Sequence, residues 1–208
     1  LSLQQDDPRS AGLYHTAFLF PERTDLARWI NHAIETRIKV DGAADHDVSE
    51  ALYLTDPEGN GVEIYADRPR EAWTFSGNSV HMSTDPLDIQ SLLDTLSPSD
   101  PAWTGSPVGT VIGHVHLRVG DVQTAEQWWR EAQGLDTMLL YGGQAVFMAS
   151  GGYHHHIGAN SWQSRGAGPR RKDRTGLSFV ELLSKKAADE HVASDPWDTE
   201  IRVLPVRD

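Results

Sequence analysis

The stretch HDVSEALYLTDPEGNGVE, residues 46–63, contains two short apolar runs joined by the turn-forming sequence DPEGN. Pro, Gly and Asn at such a junction are typical of a hairpin connection between two strands. Side chains alternate along a strand, so Val62 and Ile64 share one face while Glu63 and Tyr65 share the other. The sequence therefore predicts a hairpin that carries a carboxylate on the face opposite its apolar residues.

The composition is that of an ordinary globular protein, and it excludes several kinds of function. The 208 residues have a net charge of −12, which disfavours nucleic acid as a partner because phosphate binding needs clustered Lys and Arg. The chain has no cysteine, so any metal would be bound by His, Asp or Glu. No apolar run is long enough for a membrane span, and no signal segment is recognisable. We expect a cytoplasmic protein that binds neither nucleic acid nor a membrane.

The order strand, helix, paired strands occurs twice along the chain. In the first copy the strand GLYHTAFLF (12–20) precedes a helix for which Thr24 is the predicted N-cap. In the second copy the strand VIGHVHLRV (111–119) precedes a helix predicted to be capped by Asp121, and the strands QAVFMAS and YHHHIGAN follow.

The register of the two copies can be counted from their strand histidines. His15 precedes Trp29 by 14 residues, and His114 precedes Trp128 by the same number. The two histidines are therefore predicted to occupy equivalent positions.

A third and shorter copy begins at TGLSFVELL (175–183) and ends in DPWDTEIRV (195–203). Phe179 stands where the first copy has His15, and Arg202 stands where it has Glu63. The third copy is therefore predicted to be structural.

These repeats predict the domain organisation. Modules of this size cannot bury a sheet face alone and are expected to pair. We predict a βαβββ module at 11–68, a proline-rich linker at 69–110 with a short helix near 87–96, a second module at 111–162, and a shortened module at 174–208. Residues 1–10 are predicted to be the end of an incomplete upstream module.

The repeated module, with His on its first strand and Glu on its last, resembles the vicinal oxygen chelate superfamily of glyoxalases, fosfomycin and bleomycin resistance proteins and extradiol dioxygenases. The opening stretch is similar to the signature of type I extradiol dioxygenases, and it consists of His46, five residues, Leu52-Tyr53, two residues, Asp56-Pro57, one residue, Gly59, three residues and Glu63. The resemblance covers nearly the whole chain and is closest to catechol 2,3-dioxygenase-like proteins. It implies an α+β fold in which βαβββ modules pair into cupped mixed sheets.

The resemblance also implies one metal site, formed by His15, His114 and Glu63. Fe(II) is the expected cofactor, and Mn(II) or another divalent metal is an alternative. Two imidazoles and one carboxylate leave open positions for both oxygens of a catechol and for O2. His116 shares a strand face with His114 and remains an alternative ligand.

Four further residues are predicted to act on the substrate. His155, and next to it His154, are candidate proton handlers, because the YHHHIG segment is expected to place His155 opposite the Glu63 position. Tyr53 is expected to donate a hydrogen bond to a substrate oxygen, and His46 to line the other wall. The implied function is Fe(II)-dependent extradiol cleavage of a small aromatic diol by O2, in a protein that could form a homo-oligomer.

Three other functions fit the same fold. A glyoxalase-like enzyme would use a divalent metal without oxygen chemistry, and it would typically supply a second carboxylate or Gln where this chain offers a histidine cluster. A resistance-type module would bind a drug without turnover, and such modules often lack the metal ligands. A degenerate member would be purely structural.

Overall fold

The computed structural model of the chain describes residues 4–206, so residues 1–3 of the predicted upstream segment and residues 207–208 lie outside the described residues. The helices are α1 (Arg23–Thr36), α2 (Ile89–Leu93) and α3 (Val122–Gln133), with one 3₁₀ turn at Arg70–Ala72. The strands are β1 (Gly12–Phe20), β2 (Gly42–Asp45), β3 (Ser49–Thr55), β4 (Gly61–Asp67), β5 (Phe75–Ser76), β6 (Ser79–Val80), β7 (Val111–Arg118), β8 (Asp136–Tyr141), β9 (Ala145–Ala149), β10 (Ile157–Asn160), β11 (Phe179–Ser184), β12 (His191–Ser194) and β13 (Glu200–Pro205).

The described chain divides into two compact units. The central unit is His15–His114, and the terminal unit contains the described residues before His15 and after His114. No helix among residues 4–206 is both long and apolar enough to cross a membrane.

The central unit has the predicted βαβββ order. Its strands lie in the order β2-β3-β4-β1, with β3 antiparallel to β2 and β4, and with β4 parallel to β1. One face of this sheet packs against α1, where Leu26 and Ile30 meet Leu52 and Ile64. Leu92 of α2, within the segment predicted to be a linker, is fully buried in the same core. The α+β class with a mixed sheet is confirmed.

The first helix begins two residues earlier than expected. Its N-cap is Glu22, which makes no side-chain cap hydrogen bond, so the prediction of Thr24 as N-cap is wrong. The first turn is anchored instead by Arg23, whose Nη2 donates to Oε1 of buried Glu50 on β3 at 2.9 Å. The prediction for α3 is confirmed, because Asp121 Oδ1 accepts a hydrogen bond from the Thr124 backbone N–H at 2.8 Å.

The terminal unit contains the second copy from Val115 onward, with strand order β7-β10-β9-β8 and with α3 packed on one face. The segment YHHHIGAN forms a strand only over its last four residues, β10, which pairs with β7 from Ile157 opposite Val115 onward. Residues 153–156 lie outside the strand, after two glycines with left-handed φ values of 65° and 68° at Gly151 and Gly152. The predicted strand is therefore too long at its beginning.

The third copy is a three-stranded sheet with the order β11-β13-β12. Phe179 pairs with Glu200 and Glu181 pairs with Arg202, in the parallel register that β1 and β4 show in the first copy. The Arg202 guanidinium carbon lies 3.6 Å from the centre of the Phe179 ring. A cation–π contact thus occupies the positions that correspond to His15 and Glu63.

Candidate metal centre

The three predicted ligands lie together in the central unit. His15 comes from β1, Glu63 from β4 and His114 from β7. The parallel register places Ala17 beside Glu63, and His15 lies two residues earlier on the same face of β1. Glu63 Oε2 lies 3.0 Å from His15 Nε2 and 3.2 Å from His114 Nε2, and the two Nε2 atoms are 3.2 Å apart. All three side chains are more than nine-tenths buried.

Hydrogen bonds alone cannot satisfy this triangle of atoms. Each imidazole nitrogen either carries a proton or presents a lone pair, and it cannot do both. If both Nε2 atoms donate to Glu63 Oε2, the two N–H groups of His15 and His114 face each other across 3.2 Å. A cation at the centre would instead be met by three lone pairs at once. The group therefore has the properties of a metal site. Among the described residues, these three side chains form the cluster of His and carboxylate ligands that could hold a metal ion.

The spacing of the three atoms fits ligands that share one metal ion. For a metal–ligand distance of about 2.1 Å, two ligand atoms at a right angle to each other are about 3.0 Å apart, and at a tetrahedral angle about 3.4 Å. The observed edges of 3.0, 3.2 and 3.2 Å lie between these two values, so the three atoms are spaced as ligands of one metal ion would be. Two His and one carboxylate are the donor set typical of non-haem Fe(II) sites.

The charge state of Glu63 also suits metal binding. Burial alone raises the pKa of a carboxyl group, but the adjacent His114 and His15 imidazoles outweigh burial and hold the pKa of Glu63 well below its usual value. Metal ligands must be deprotonated to bind. Glu63 is therefore a carboxylate and ready to act as a ligand.

Tyr53 and His46 form a hydrogen-bonded pair next to this group. Tyr53 faces Glu63 across the β3–β4 ladder, and its ring centre lies 5.9 Å from that of His15. His46 lies in the turn between β2 and β3, with its Nδ1 2.7 Å from the Ser83 carbonyl oxygen and its Nε2 2.7 Å from Tyr53 Oη.

The Ser83 carbonyl determines which nitrogen of His46 carries the proton. A carbonyl oxygen can only accept, so Nδ1 must donate to it. In the neutral ring Nε2 then presents its lone pair, and the Tyr53 hydroxyl donates to it. The Tyr53 proton therefore points toward His46, and the oxygen lone pairs of Tyr53 point away from it.

His116, the alternative ligand, lies elsewhere. It is buried in the terminal unit among aromatic rings, with ring centres 5.2 Å from Tyr14 and 5.6 Å from both Trp162 and Phe147. The nitrogen found beside Glu63 belongs to His114.

His154 and His155, the predicted proton handlers, also belong to the terminal unit. Both are buried, their Nδ1 atoms are 2.8 Å apart, and the His155 ring packs edge-on against Phe147. The register argument for His155 is wrong: β10 places Gly158 opposite His116, as β4 places Glu63 opposite Ala17, so Gly158 holds the position equivalent to Glu63. The catalytic role of these two histidines stays a prediction.

Sequence reasoning placed Tyr65 on the face of Glu63 but gave it no role, and it did not identify Ser83. Ser83 contributes only a backbone carbonyl, so its residue type carries no signal. Tyr65 is fully buried and its ring centre lies 5.0 Å from that of His114. Its alternation with Glu63 along β4 was the signal that could have pointed to it.

Known proteins resemble this chain in sequence. The family model of the Glyoxalase/Bleomycin resistance protein/Dioxygenase superfamily matches residues 1–64. A catechol-2,3-dioxygenase from Bacillus subtilis (strain 168) is 45% identical over 175 residues, which are 83% of this chain and 60% of that protein. Biphenyl-2,3-diol 1,2-dioxygenase 2 from Rhodococcus globerulus is 32% identical over 112 residues, which are 50% of this chain and 59% of that protein. The chain thus spans about 60% of the length of the B. subtilis relative.

A solved structure shares the fold. The crystal structure of a protein provisionally described as a dioxygenase from Bacillus subtilis subsp. subtilis str. 168 aligns with a TM-score of 0.54 and 11% identity, over 95% of this chain and 64% of that one. At this identity the likeness concerns the fold alone. The family-model match over residues 1–64 and the 45% identity over 83% of the chain show that this chain is similar to members of the glyoxalase, bleomycin resistance protein and dioxygenase superfamily.

Proposed function

We propose that this chain carries the active site of an Fe(II)-dependent extradiol dioxygenase that acts on a catechol-type diol. The observation that carries the proposal is the buried triangle of His15 Nε2, His114 Nε2 and Glu63 Oε2, with edges of 3.0 to 3.2 Å. The identity with a catechol-2,3-dioxygenase supports the choice of reaction. In this reaction a ring C–C bond beside the diol breaks, both atoms of O2 enter the product, and no external reductant is consumed.

His15, His114 and Glu63 would hold the metal. When bound, Fe(II) supplies adjacent binding positions for the diol and O2 and a route for electrons between them. The burial of the three side chains excludes bulk water from the ligand side of the site. The group has three protein ligands, and among the described residues no second carboxylate joins it, so the donor set favours oxygen activation over the glyoxalase-like alternative.

Tyr53 and His46 would accept a proton from the diol. A substrate hydroxyl placed at Tyr53 meets an oxygen lone pair, because the Tyr53 proton is directed at His46 Nε2. The substrate proton can then move to Tyr53 Oη as Tyr53 passes its own proton to His46, and the Ser83 carbonyl stabilises the resulting imidazolium. Tyr53 afterwards donates to the deprotonated substrate oxygen, which is the role expected from the sequence.

His154 and His155 remain candidates for a later proton transfer. We propose testing them through kcat of separate Gln variants, because a proton handler changes turnover while the metal content stays constant.

The activity test uses protein purified without oxygen and reconstituted with Fe²⁺. With a panel of catechols we expect consumption of one O2 for each diol and formation of a coloured ring-cleavage product. Protein loaded with Zn²⁺, which has no redox chemistry, is the matched control and should consume none. Absence of bound iron after reconstitution, or of oxygen uptake with every diol, would overturn the proposal.

A further inference from the structure

Tyr65 lies on the same face of β4 as Glu63, two residues further along. Its neighbours across the ladders are Ala51 on β3 and Leu19 on β1, and with Ala17 they form a small buried cluster. The small side chains of the two alanines leave room for the tyrosine ring, which is fully buried. The ring therefore has a fixed place beside the candidate metal centre.

This ring packs against a metal ligand. The Tyr65 and His114 ring centres are 5.0 Å apart with the planes inclined at 49°, and on another side His114 meets His15 at 5.3 Å. The imidazole is thus in contact with two other rings. Rotation about χ2 of a histidine is broad and roughly two-fold, so contacts of this kind determine which way its nitrogens face.

The absence of a side chain at Gly113 leaves space for the Tyr65 ring beside His114. A Cβ added at Gly113 would overlap Tyr65 Oη and would lie 2.8 Å from Tyr65 Cζ and 3.0 Å from Leu19 Cβ. The hydroxyl end of the ring therefore occupies the space that a side chain would fill immediately before His114 on β7. Glycine in a strand often marks such a close approach.

We infer that Tyr65 is a positioning residue for His114, and that Gly113 lacks a side chain so that the Tyr65 ring can hold the His114 imidazole with Nε2 toward Glu63. The inference rests on the proposed metal role of His114. Residues that orient metal ligands typically affect metal affinity about 10- to 100-fold. Tyr65 itself touches neither substrate nor metal in this scheme.

The test measures affinity for Co²⁺ by titration of its visible absorption, with no turnover involved. Tyr65→Leu removes the ring and should weaken Co²⁺ binding at least about 10-fold, whereas Tyr65→Phe keeps the ring and should stay within about 3-fold of wild type. Gly113→Ala displaces the ring and should also weaken binding about 10-fold. Adding Tyr65→Phe to Gly113→Ala removes the overlap with Oη and should restore part of the affinity.

The matched control is Phe20→Leu, which replaces another buried aromatic residue of the central unit. Phe20 packs in the cluster of Leu26 and Leu52, separate from that of Tyr65. The Phe20→Leu substitution should lower thermal stability while leaving Co²⁺ affinity unchanged. Equal losses of affinity in Phe20→Leu and Tyr65→Leu would overturn the inference, as would wild-type affinity in Tyr65→Leu and Gly113→Ala.

The Co²⁺ titration distinguishes failure of the proposed metal site from failure of this inference. Wild-type protein that binds no Co²⁺ would overturn the metal site and this inference together. Wild-type protein that binds Co²⁺, with Tyr65 and Gly113 variants that bind it equally well, would overturn the inference alone.

Discussion

The Nε2 atoms of His15 and His114 lie 3.2 Å apart, although 99 residues separate them in the chain. They occupy equivalent positions in two copies of the same module, one on each first strand. Only the first copy adds a carboxylate, Glu63, since Gly158 holds the equivalent position in the second. A repeated module has thus produced an asymmetric group of two imidazoles and one carboxylate.

Glu63→Gln should abolish tight metal binding. The substitution keeps the shape of the side chain but removes the charge that offsets the divalent cation, and we expect affinity to fall by more than about 100-fold. Metal content after reconstitution and dialysis measures the effect. Glu58→Gln, in the exposed turn of the same hairpin, is the control and should bind metal as wild type does. Normal metal content in Glu63→Gln would mean that the ligands are wrongly assigned.

Separate Gln variants of His114 and His116 decide which histidine is the ligand. His114→Gln should lose metal, because its Nε2 is the one at Glu63 Oε2. His116→Gln should keep metal but unfold more easily by about 1–2 kcal/mol, since its ring packs against Tyr14 and Trp162. Metal analysis with thermal unfolding separates the two effects, and the reverse pattern would make His116 the ligand.

Tyr53→Phe should lower turnover without loss of metal. It removes the hydroxyl that joins a substrate proton to His46, and we expect kcat to fall about 100-fold. Tyr141→Phe, at an exposed tyrosine, should have no effect.

His46→Phe should lower kcat about as much as Tyr53→Phe does. The double variant should lower kcat little further, because the two residues act as one unit. Multiplicative losses in steady-state kinetics would contradict a shared proton route.

Asp121→Ala should lower stability in a pH-dependent manner. Hydrogen bonds from the Thr124 backbone N–H and hydroxyl hold the pKa of Asp121 below its usual value. A lowered folded-state pKa stabilises the protein above the unfolded pKa, and that contribution is lost as pH falls through the folded pKa. We expect a deficit of about 1 kcal/mol near neutral pH that shrinks below about pH 4.

Urea unfolding of wild type, Asp121→Ala and Asp121→Asn at several pH values measures this effect. Asparagine keeps a cap oxygen without the charge, so its difference from wild type should be the smaller one near neutral pH. A deficit in Asp121→Ala that stays constant down to strongly acidic pH would contradict the prediction.

Much of the fold was predictable because it depends on local pattern. The two long helices were predicted from their place in the repeat, Asp121 was recognisable as a cap, and alternation along GVEIY placed Glu63 opposite the apolar face. The start of α1 was missed because a tertiary ion pair, Arg23 with Glu50, anchors its first turn. The start of β10 was missed because pairing with β7, and not the residue types, determines where the strand begins.

The sequence by itself determined the repeat, and with it the equivalence of His15 and His114. It also determined that Phe179 and Arg202 replace the two ligand positions in the third copy. Those conclusions need only counting, since side chains follow the period of their strand. Only the tertiary structure decided that His114 approaches Glu63, that Ser83 fixes the proton of His46, and that Tyr65 fills the space above Gly113. These contacts join segments that lie far apart in the chain, so packing and strand register determine them, and no local pattern records them.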